Sequence, residues 1–205
     1  MRFLGGIQGR ASKAGAGFSH AWQQPEYAEL RVKNDDVAFL SARLAAALGR
    51  KAGFCATIKI AASFRDTGRR LAREHGGVSG DTGISKHESA SQRITLESRL
   101  ARGQLNNSPD LTLQMAGDIA AFHRERWDGR GFPSALKAEE IPYAARIVAI
   151  CVTYHVLTME TRHGAHWLHD DAINYIRSQS RSRFDPDMVD AFLRLHGEDP
   201  EMTGA

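Results

Sequence analysis

Apolar side chains recur at helical spacing along most of the chain. After Asn34-Asp35-Asp36 they stand at Val37, Leu40, Leu44 and Leu48. The polar residues at 34–36 suit a helix start, and Gly49 suits its end. Residues 54–64 repeat the pattern, with Phe54, Ile58, Ala61 and Ala62 on one face. The pattern therefore predicts two amphipathic helices.

Four later segments also have helical periodicity: 111–123, 144–159, 169–179 and 184–197. Their inward positions are predicted at Leu113, Ala116, Ile119, Ala120, Ile173 and Ile176. In the last segment, Asp185 suits the N-cap, Pro186 the first helical position and Gly197 the end. Strand-like alternation is almost absent. The sequence therefore predicts an all-α fold, a helical bundle with irregular loops.

The middle of the chain is less regular. Residues 76–83, GGVSGDTG, predict a loop, and the polar segment 85–103 predicts only a weak helix. The stretch 106–110, NNSPD, predicts a turn that starts the next helix. We expect residues 1–25 to be a poorly ordered leader, 26–197 to form one helical domain, and 198–205 to be a tail.

Composition narrows the function only slightly. The chain has 205 residues, 42% hydrophobic and 25% charged, which is typical of a globular domain. The net charge of +3 is spread along the chain, so we expect no nucleic-acid partner, although an anionic small molecule would suit it. Cys55 and Cys151 lie in apolar surroundings and indicate buried thiols in a cytoplasmic protein. No apolar run approaches membrane-spanning length, so no membrane partner is expected.

Residues 123–133, HRERWDGRGFP, combine several chemical features. A helix delivers His123 at its C-terminal end. The stretch from Asp128 to Gly131 predicts a turn in which both glycines can take positive φ. Trp127 and Phe132 are expected to anchor this turn in the core, with stacking on a base as the alternative.

The longer string HRERWDGRGFPSALKAEEIPYAARIVAI resembles the HD-GYP family, a branch of the HD-domain metal-dependent phosphohydrolases. The family signature there is HHExxDGxGYP, followed by Ile-Pro and Arg-Ile-Val-Ala. Residues 183–186, Arg-Phe-Asp-Pro, resemble the family's later His-Phe-Asp-Pro turn. The match is strong over about 105–195, moderate over 33–70 and poor over 71–104.

The resemblance implies an HD-domain-like helical bundle from a bacterial, cytoplasmic signalling protein. Members of the family hydrolyse cyclic di-GMP with a cluster of two or three metals, often iron or manganese. Their Gly-Tyr-Pro loop resembles a docking surface for diguanylate cyclases.

Carried over position by position, the metal site is incomplete. The family's His-Asp pair falls on Arg65-Asp66, and the following lysine falls on Arg69. The tandem histidines fall on His123-Arg124. Arginine has no lone pair for a metal, so two ligands are replaced by permanent cations. The resemblance thus implies Asp66 and His123 as remaining metal ligands, with catalytic roles for Asp66 and Arg69.

Other family positions fall less clearly. A further family histidine falls on Ile94 by spacing or on His87 with a shorter loop, and both alignments stay open. The family's later aspartates fall on Val152 and His155. A phosphate-binding arginine is matched by Arg162 after a shift of one residue.

The loop that follows His123 is the part of the chain that best matches the family signature. Asp128, Gly129, Gly131 and Pro133 match the family, and Phe132 replaces its tyrosine. These five residues are the expected docking loop for a diguanylate cyclase domain.

Three hypotheses follow. In the first, the chain is a degenerate HD-GYP-like domain that binds or docks, in which Arg65 and Arg124 pair with Asp66 and no metal is held. Cyclic di-GMP would then be bound by four basic residues: Arg65, Arg124, Lys137 and Arg162. In the second, it is a metal-dependent cyclic di-GMP phosphodiesterase with iron or manganese on Asp66, His87 and His123. In the third, it is a decaying gene product.

Other histidines are given structural interpretations. His163, His166 and His169 have a spacing that could bind zinc, but a solvated loop and helix start are favoured. His155 is expected to be a buried, hydrogen-bonded side chain.

Overall fold

The computed structural model of the protein describes residues 28–74, 89–159 and 167–197. All of its regular elements are helical, which confirms the all-α prediction for these residues. The helices are Ala28–Ala47 (α1), Ala52–Ala62 (α2), Thr67–Glu74 (α3), Ala90–Leu105 (α4), Leu111–Phe122 (α5), Tyr143–Thr158 (α6), His169–Ser178 (α7) and Pro186–Leu195 (α8), with a 3-10 turn at Ala138–Glu140. The expected leader 1–25, tail 198–205 and loop 76–83 lie outside the described residues.

One main core holds these helices together. Helix α1 packs against α2, α6 and α8, while α5 packs against α2, α4 and α6. The predicted inward side chains Leu44, Ile58, Ile119 and Ile173 are fully buried or nearly so. Burying a leucine or isoleucine side chain contributes roughly 1.5–3 kcal/mol. The apolar periodicity therefore identified the core correctly.

Helix ends follow their capping chemistry. The Asp185 carboxylate accepts the Asp187 backbone N–H, as predicted for the N-cap of α8. Asp110, at the end of the predicted turn 106–110, accepts the Thr112 N–H in the same way. The weak helix expected within residues 85–103 is present as α4, which begins later, at Ala90, and ends at Leu105. A capping box sets its start, in which the Ser89 hydroxyl accepts the Gln92 N–H and the Gln92 side chain accepts the Ser89 N–H.

Two local predictions are wrong. Helix α1 begins at Ala28 and not near residue 34, so the polar residues at 34–36 lie inside it. Gly129 has φ of +78°, but Gly131 is not among the positive-φ glycines. A Cβ on Gly131 would lie 2.3 Å from the Arg126 backbone nitrogen. Gly131 is therefore required by close approach of the backbone, not by its φ.

The glycine loop, defined here as residues 125–137, is tied to the segment between α7 and α8. The Trp127 N–H donates to the Arg183 carbonyl at 3.2 Å, and the Asp128 N–H donates to the Ser182 carbonyl at 2.9 Å. The Phe132–Pro133 peptide is cis. The two hydrogen bonds hold the start of the loop against the segment between α7 and α8.

Within the described part of the chain, no helix has both the length and the apolar character needed to cross a membrane.

Helices α3 and α4 approach closely at Gly68. A Cβ on Gly68 would lie 2.0 Å from the Glu97 backbone oxygen. We therefore expect Gly68→Ala to force the two helices apart and to lower the free energy of unfolding by about 2–3 kcal/mol. Urea denaturation followed by circular dichroism measures this change.

Gly103→Ala is the matched control, because a Cβ at that position of α4 meets nothing within 4 Å. It should raise the free energy of unfolding by up to about 1 kcal/mol through helix propensity. Equal effects of the two substitutions would contradict the close approach. A non-cooperative wild-type transition would favour the hypothesis of a decaying product.

Candidate functional site

Charged side chains from four parts of the chain converge near the end of α5. Arg65 and Asp66 lie in the turn between α2 and α3, Glu97 lies in the middle of α4, and Arg124 follows the end of α5. Arg69, in the first turn of α3, completes the group. We call Arg65, Asp66, Arg69, Glu97 and Arg124 the guanidinium cluster.

Ion pairs link the guanidinium cluster from one end to the other. Arg65 Nε lies 3.6 Å from Asp66 Oδ2, and Arg69 Nη1 lies 3.8 Å from Asp66 Oδ1. Arg69 Nε lies 3.9 Å from Glu97 Oε1, and Arg124 Nη1 donates to Glu97 Oε2 at 2.9 Å. Three guanidinium groups thus face two carboxylates, and the cluster carries an excess of positive charge.

Arg65 is the most deeply placed cation of the cluster. Its side chain is 10% exposed, and burial lowers its pKa. Its Nη1 is buried and has no hydrogen-bond partner within the described residues. A buried charged donor without an acceptor is costly. The position is therefore suited to an anionic acceptor such as a phosphate oxygen.

His123 lies beside the cluster in its neutral form. Its ring is buried, and Nδ1 lies 2.8 Å from the Ile119 carbonyl oxygen. Because a carbonyl can only accept, Nδ1 carries the proton and Nε2 keeps the lone pair. Burial, with the charge of Arg124, lowers the pKa of His123 to about 4. The imidazole is therefore neutral at pH 7, and its Nε2 could donate a lone pair to a metal ion.

A metal cluster needs more donors than these. Among the described residues, no three histidine, cysteine, aspartate or glutamate side chains converge so that they could hold a metal ion. Asp66 and His123 are the predicted ligands that the structure describes, and Arg65, Arg69 and Arg124 surround them. Like charges about 4 Å apart at a protein surface repel by roughly 4 kcal/mol. The described side chains therefore do not fit a two-metal cluster.

The structure corrects one predicted ion pair and adds a residue. Arg65 pairs with Asp66 as expected, but Arg124 pairs with Glu97 instead of Asp66. Glu97 was not predicted. The signal was present, because Glu97 stands in helical register with Ala101 and Leu105, which are buried. A carboxylate on the buried stripe of a helix needs a cationic partner.

Other predicted binding residues lie apart from the cluster. Lys137 is exposed in the glycine loop, where its backbone forms an isolated antiparallel β-bridge with that of Asp128, and no described contact joins it to Arg65 or Arg124. His87, His163, His166 and Arg162 lie outside the described residues. His169 is exposed at the start of α7, where its Nδ1 lies 2.8 Å from the Tyr154 hydroxyl.

The glycine loop is held by its own charges. Both Asp128 oxygens accept from Arg126, at 3.1 and 2.8 Å, which lowers the pKa of Asp128 to about 2. Glu125 is buried and its Oε1 accepts the Ser134 N–H at 2.6 Å. Burial raises the pKa of Glu125. The loop is thereby fixed in shape.

Of the two predicted aromatic anchors, only Trp127 is partly enclosed, with the Arg146 guanidinium 5.7 Å from its ring centroid. Phe132 is 44% exposed, so the expectation that it anchors the loop in the core is wrong. The fixed loop directs its ring outward instead.

Two further predictions on buried side chains are only partly met. Cys151 is buried, but Cys55 is half-buried. His155 is half-buried, and its Nδ1 lies 4.0 Å from Asp36 Oδ2. Burial lowers the pKa of His155, and the nearby charge of Arg65 lowers it further.

Comparison with known proteins shows where this arrangement belongs. A family model described as HD domain matches residues 23–188. A cyclic di-GMP phosphodiesterase of Thermotoga maritima is 31% identical over 167 residues, which cover 79% of this chain and 43% of the relative. The cyclic di-GMP phosphodiesterase response regulator of Xanthomonas campestris is 35% identical over 106 residues, covering 52% of this chain and 28% of its own length.

A solved structure supports the same fold. The crystal structure of a cyclic GMP-AMP-specific phosphodiesterase of Vibrio cholerae has a TM-score of 0.61 at 17% sequence identity. The alignment covers 93% of this chain and 48% of that chain. The chain therefore spans less than half the length of each of these three proteins.

The Glu97 carboxylate is 10% exposed and forms ion pairs with two arginines, Arg69 and Arg124. We expect Glu97→Gln to lower the free energy of unfolding by about 2 kcal/mol, because Arg69 and Arg124 lose their shared counter-ion. The double variant with Arg124→Leu should cost less than the sum of the single variants by about 1 kcal/mol. Urea denaturation of the four proteins measures both quantities.

Glu139→Gln, on the exposed 3-10 turn, is the matched control and should change stability by less than about 0.5 kcal/mol. Additive effects of the Glu97 and Arg124 substitutions would show that the ion pair does not contribute to stability.

Proposed function

The chain belongs to the HD-domain family, in its HD-GYP branch, and from this premise we propose that it binds cyclic di-GMP without hydrolysing it efficiently. The observation that carries the proposal is the buried Arg65 guanidinium, whose Nη1 finds no acceptor in the described part of the chain, within a cluster of excess positive charge. Relatives of the chain are named as phosphodiesterases of this nucleotide, which supports this ligand class.

The chemistry of the ligand suits the guanidinium cluster. Each of the two phosphodiesters of cyclic di-GMP carries one negative charge and exposes two oxygens. A guanidinium group presents several N–H donors in a planar fork that matches such oxygens. The three guanidinium groups of Arg65, Arg69 and Arg124 outnumber the two carboxylates, Asp66 and Glu97. One positive charge of the cluster is therefore left to pair with a phosphate.

Efficient hydrolysis is the less supported function. A metal that activates water needs several neutral or anionic donors around it. Here Asp66 and neutral His123 would be the donors, while the two positions occupied by Arg65 and Arg124 carry cations instead. Under this proposal no metal cofactor is used. Iron or manganese would be the cofactor under the alternative, with His87 as a third ligand.

The glycine loop supports a second role, which is docking. Its shape is fixed by Asp128 and Glu125, and it holds Phe132 44% exposed. An exposed aromatic ring on a rigid loop is a typical anchor for a partner protein. We propose that Asp128, Gly129, Gly131, Phe132 and Pro133 dock a diguanylate cyclase domain in the cytoplasm.

Isothermal titration with cyclic di-GMP tests the nucleotide proposal. We expect Arg65→Gln to weaken binding by about tenfold or more, since a charge-assisted hydrogen bond is lost. Arg73→Gln, an exposed arginine on the same helix as Arg69, is the matched control and should leave the affinity unchanged. An equal loss in both variants, or no binding to the wild type, would reject the proposal.

Metal content and turnover separate the binding module from the hydrolase. We expect purified protein to hold no stoichiometric iron or manganese, and to turn over cyclic di-GMP negligibly when either ion is added. Elemental analysis measures the metal content, and chromatography of the nucleotide products measures the turnover. The alternative, a metal-dependent hydrolase, would be established if the wild type holds stoichiometric metal and hydrolyses cyclic di-GMP, and if His123→Ala loses both properties.

A pull-down with a diguanylate cyclase domain tests the docking role. We expect Phe132→Ala to reduce capture by about tenfold, because the ring is the exposed apolar anchor. Phe39→Ala removes another exposed phenylalanine, on α1, and should not change capture. Docking through the glycine loop is wrong if the two variants behave alike.

A further inference from the structure

A groove separate from the guanidinium cluster lies between α4 and the glycine loop. Its volume is about 490 Å³. Its walls include Arg99, Arg102, Asn107, Phe122, Pro133 and Ser134. Successive residues of a helix are rotated by 100°, so Arg99 projects about 200° away from Glu97 around α4. The groove and the guanidinium cluster therefore lie on different faces of the same helix.

The groove is positively charged. Arg99 and Arg102 stand one turn apart on α4, and no acidic side chain is among the described residues that line it. The Arg102 guanidinium lies 5.2 Å from the centroid of the Phe122 ring, which restricts its orientation. Two guanidinium groups at i and i+3 can share one phosphate.

The rest of the wall suits a flat, partly apolar group with N–H donors. The Pro133 ring supplies apolar surface, while the Phe122 ring is 8% exposed and lies beneath the Arg102 guanidinium. The Ser98 hydroxyl donates to the Ala121 carbonyl, so its oxygen is left to accept. Asn107 uses its side-chain N–H on the Gly103 carbonyl, which leaves Oδ1 as an acceptor. A nucleobase combines a flat apolar face with ring and amino N–H donors.

We propose that this groove binds a nucleoside monophosphate, with the phosphate on Arg99 and Arg102 and the base against Pro133. Its volume lies within the range of small-molecule sites, roughly 300–1,000 Å³. The site shares no residue with the guanidinium cluster, so this proposal does not depend on cyclic di-GMP binding at Arg65.

Titration calorimetry with GMP, guanosine and inorganic phosphate tests the ligand class. GMP should bind at least tenfold more tightly than guanosine or phosphate, because each of these makes only part of the contacts. Phosphate binding as tight as GMP would overturn the nucleotide assignment, and no binding of GMP at millimolar concentration would overturn the site.

Three substitutions on α4 locate the binding. Arg99→Gln and Arg102→Gln should each weaken GMP binding by about tenfold. Arg93→Gln, on the same helix but outside the groove, should leave it unchanged. If Arg93→Gln weakens binding as much as the other two, the effect is one of net charge and the groove is not the site.

Gly103→Leu provides a variant that does not depend on removing charge. Gly103 lines the groove, and a Cβ there meets nothing within 4 Å, so a leucine side chain can occupy the groove without disturbing α4. We expect a melting temperature at or above that of the wild type, because leucine favours helix more than glycine does. GMP binding should be lost, and retained binding in this folded variant would overturn the proposal.

Discussion

The Glu97 carboxylate is the group around which the charged end of the bundle is arranged. It is nearly buried, and a buried carboxylate is tolerated only with cationic partners. Arg124 from the end of α5 and Arg69 from α3 supply them. Each of these pairs joins α4 to another element. The same helix approaches α3 so closely at Gly68 that the two backbones leave no space for a side chain.

This arrangement determines the chemistry that the site can perform. With Glu97 engaged by Arg69 and Arg124, and Asp66 by Arg65 and Arg69, both carboxylates of the cluster are neutralised by guanidinium groups. Arg65 pairs with Asp66 through Nε, and its Nη1 has no acceptor among the residues that the structure describes. His123 stays neutral beside it. A phosphate oxygen satisfies such a site better than a divalent cation does. The relatives named above are cyclic di-GMP phosphodiesterases, and the proposal that this chain binds the nucleotide without cleaving it rests on these arginines.

The glycine loop shows how the same fold presents a surface as well as a site. Its internal bonds, from Arg126 to Asp128 and from Ser134 to Glu125, fix the backbone. The fixed backbone then holds Phe132 outward and Pro133 against the groove beside α4. One short segment therefore connects the proposed docking surface with the proposed nucleotide groove, while Arg124 at its beginning belongs to the guanidinium cluster.

The sequence by itself determined the helical architecture, because apolar periodicity and capping residues are local properties. The stripe through Leu44, the helix start after residues 106–110 and the N-cap Asp185 could all be predicted from local patterns. The tertiary structure decided which charges meet. Arg124 and Glu97 are 27 positions apart, and their pairing follows from how α4 packs against α5, which no local pattern encodes. The outward position of Phe132 and the need for glycine at 131 likewise depend on backbone contacts formed only after the loop has folded.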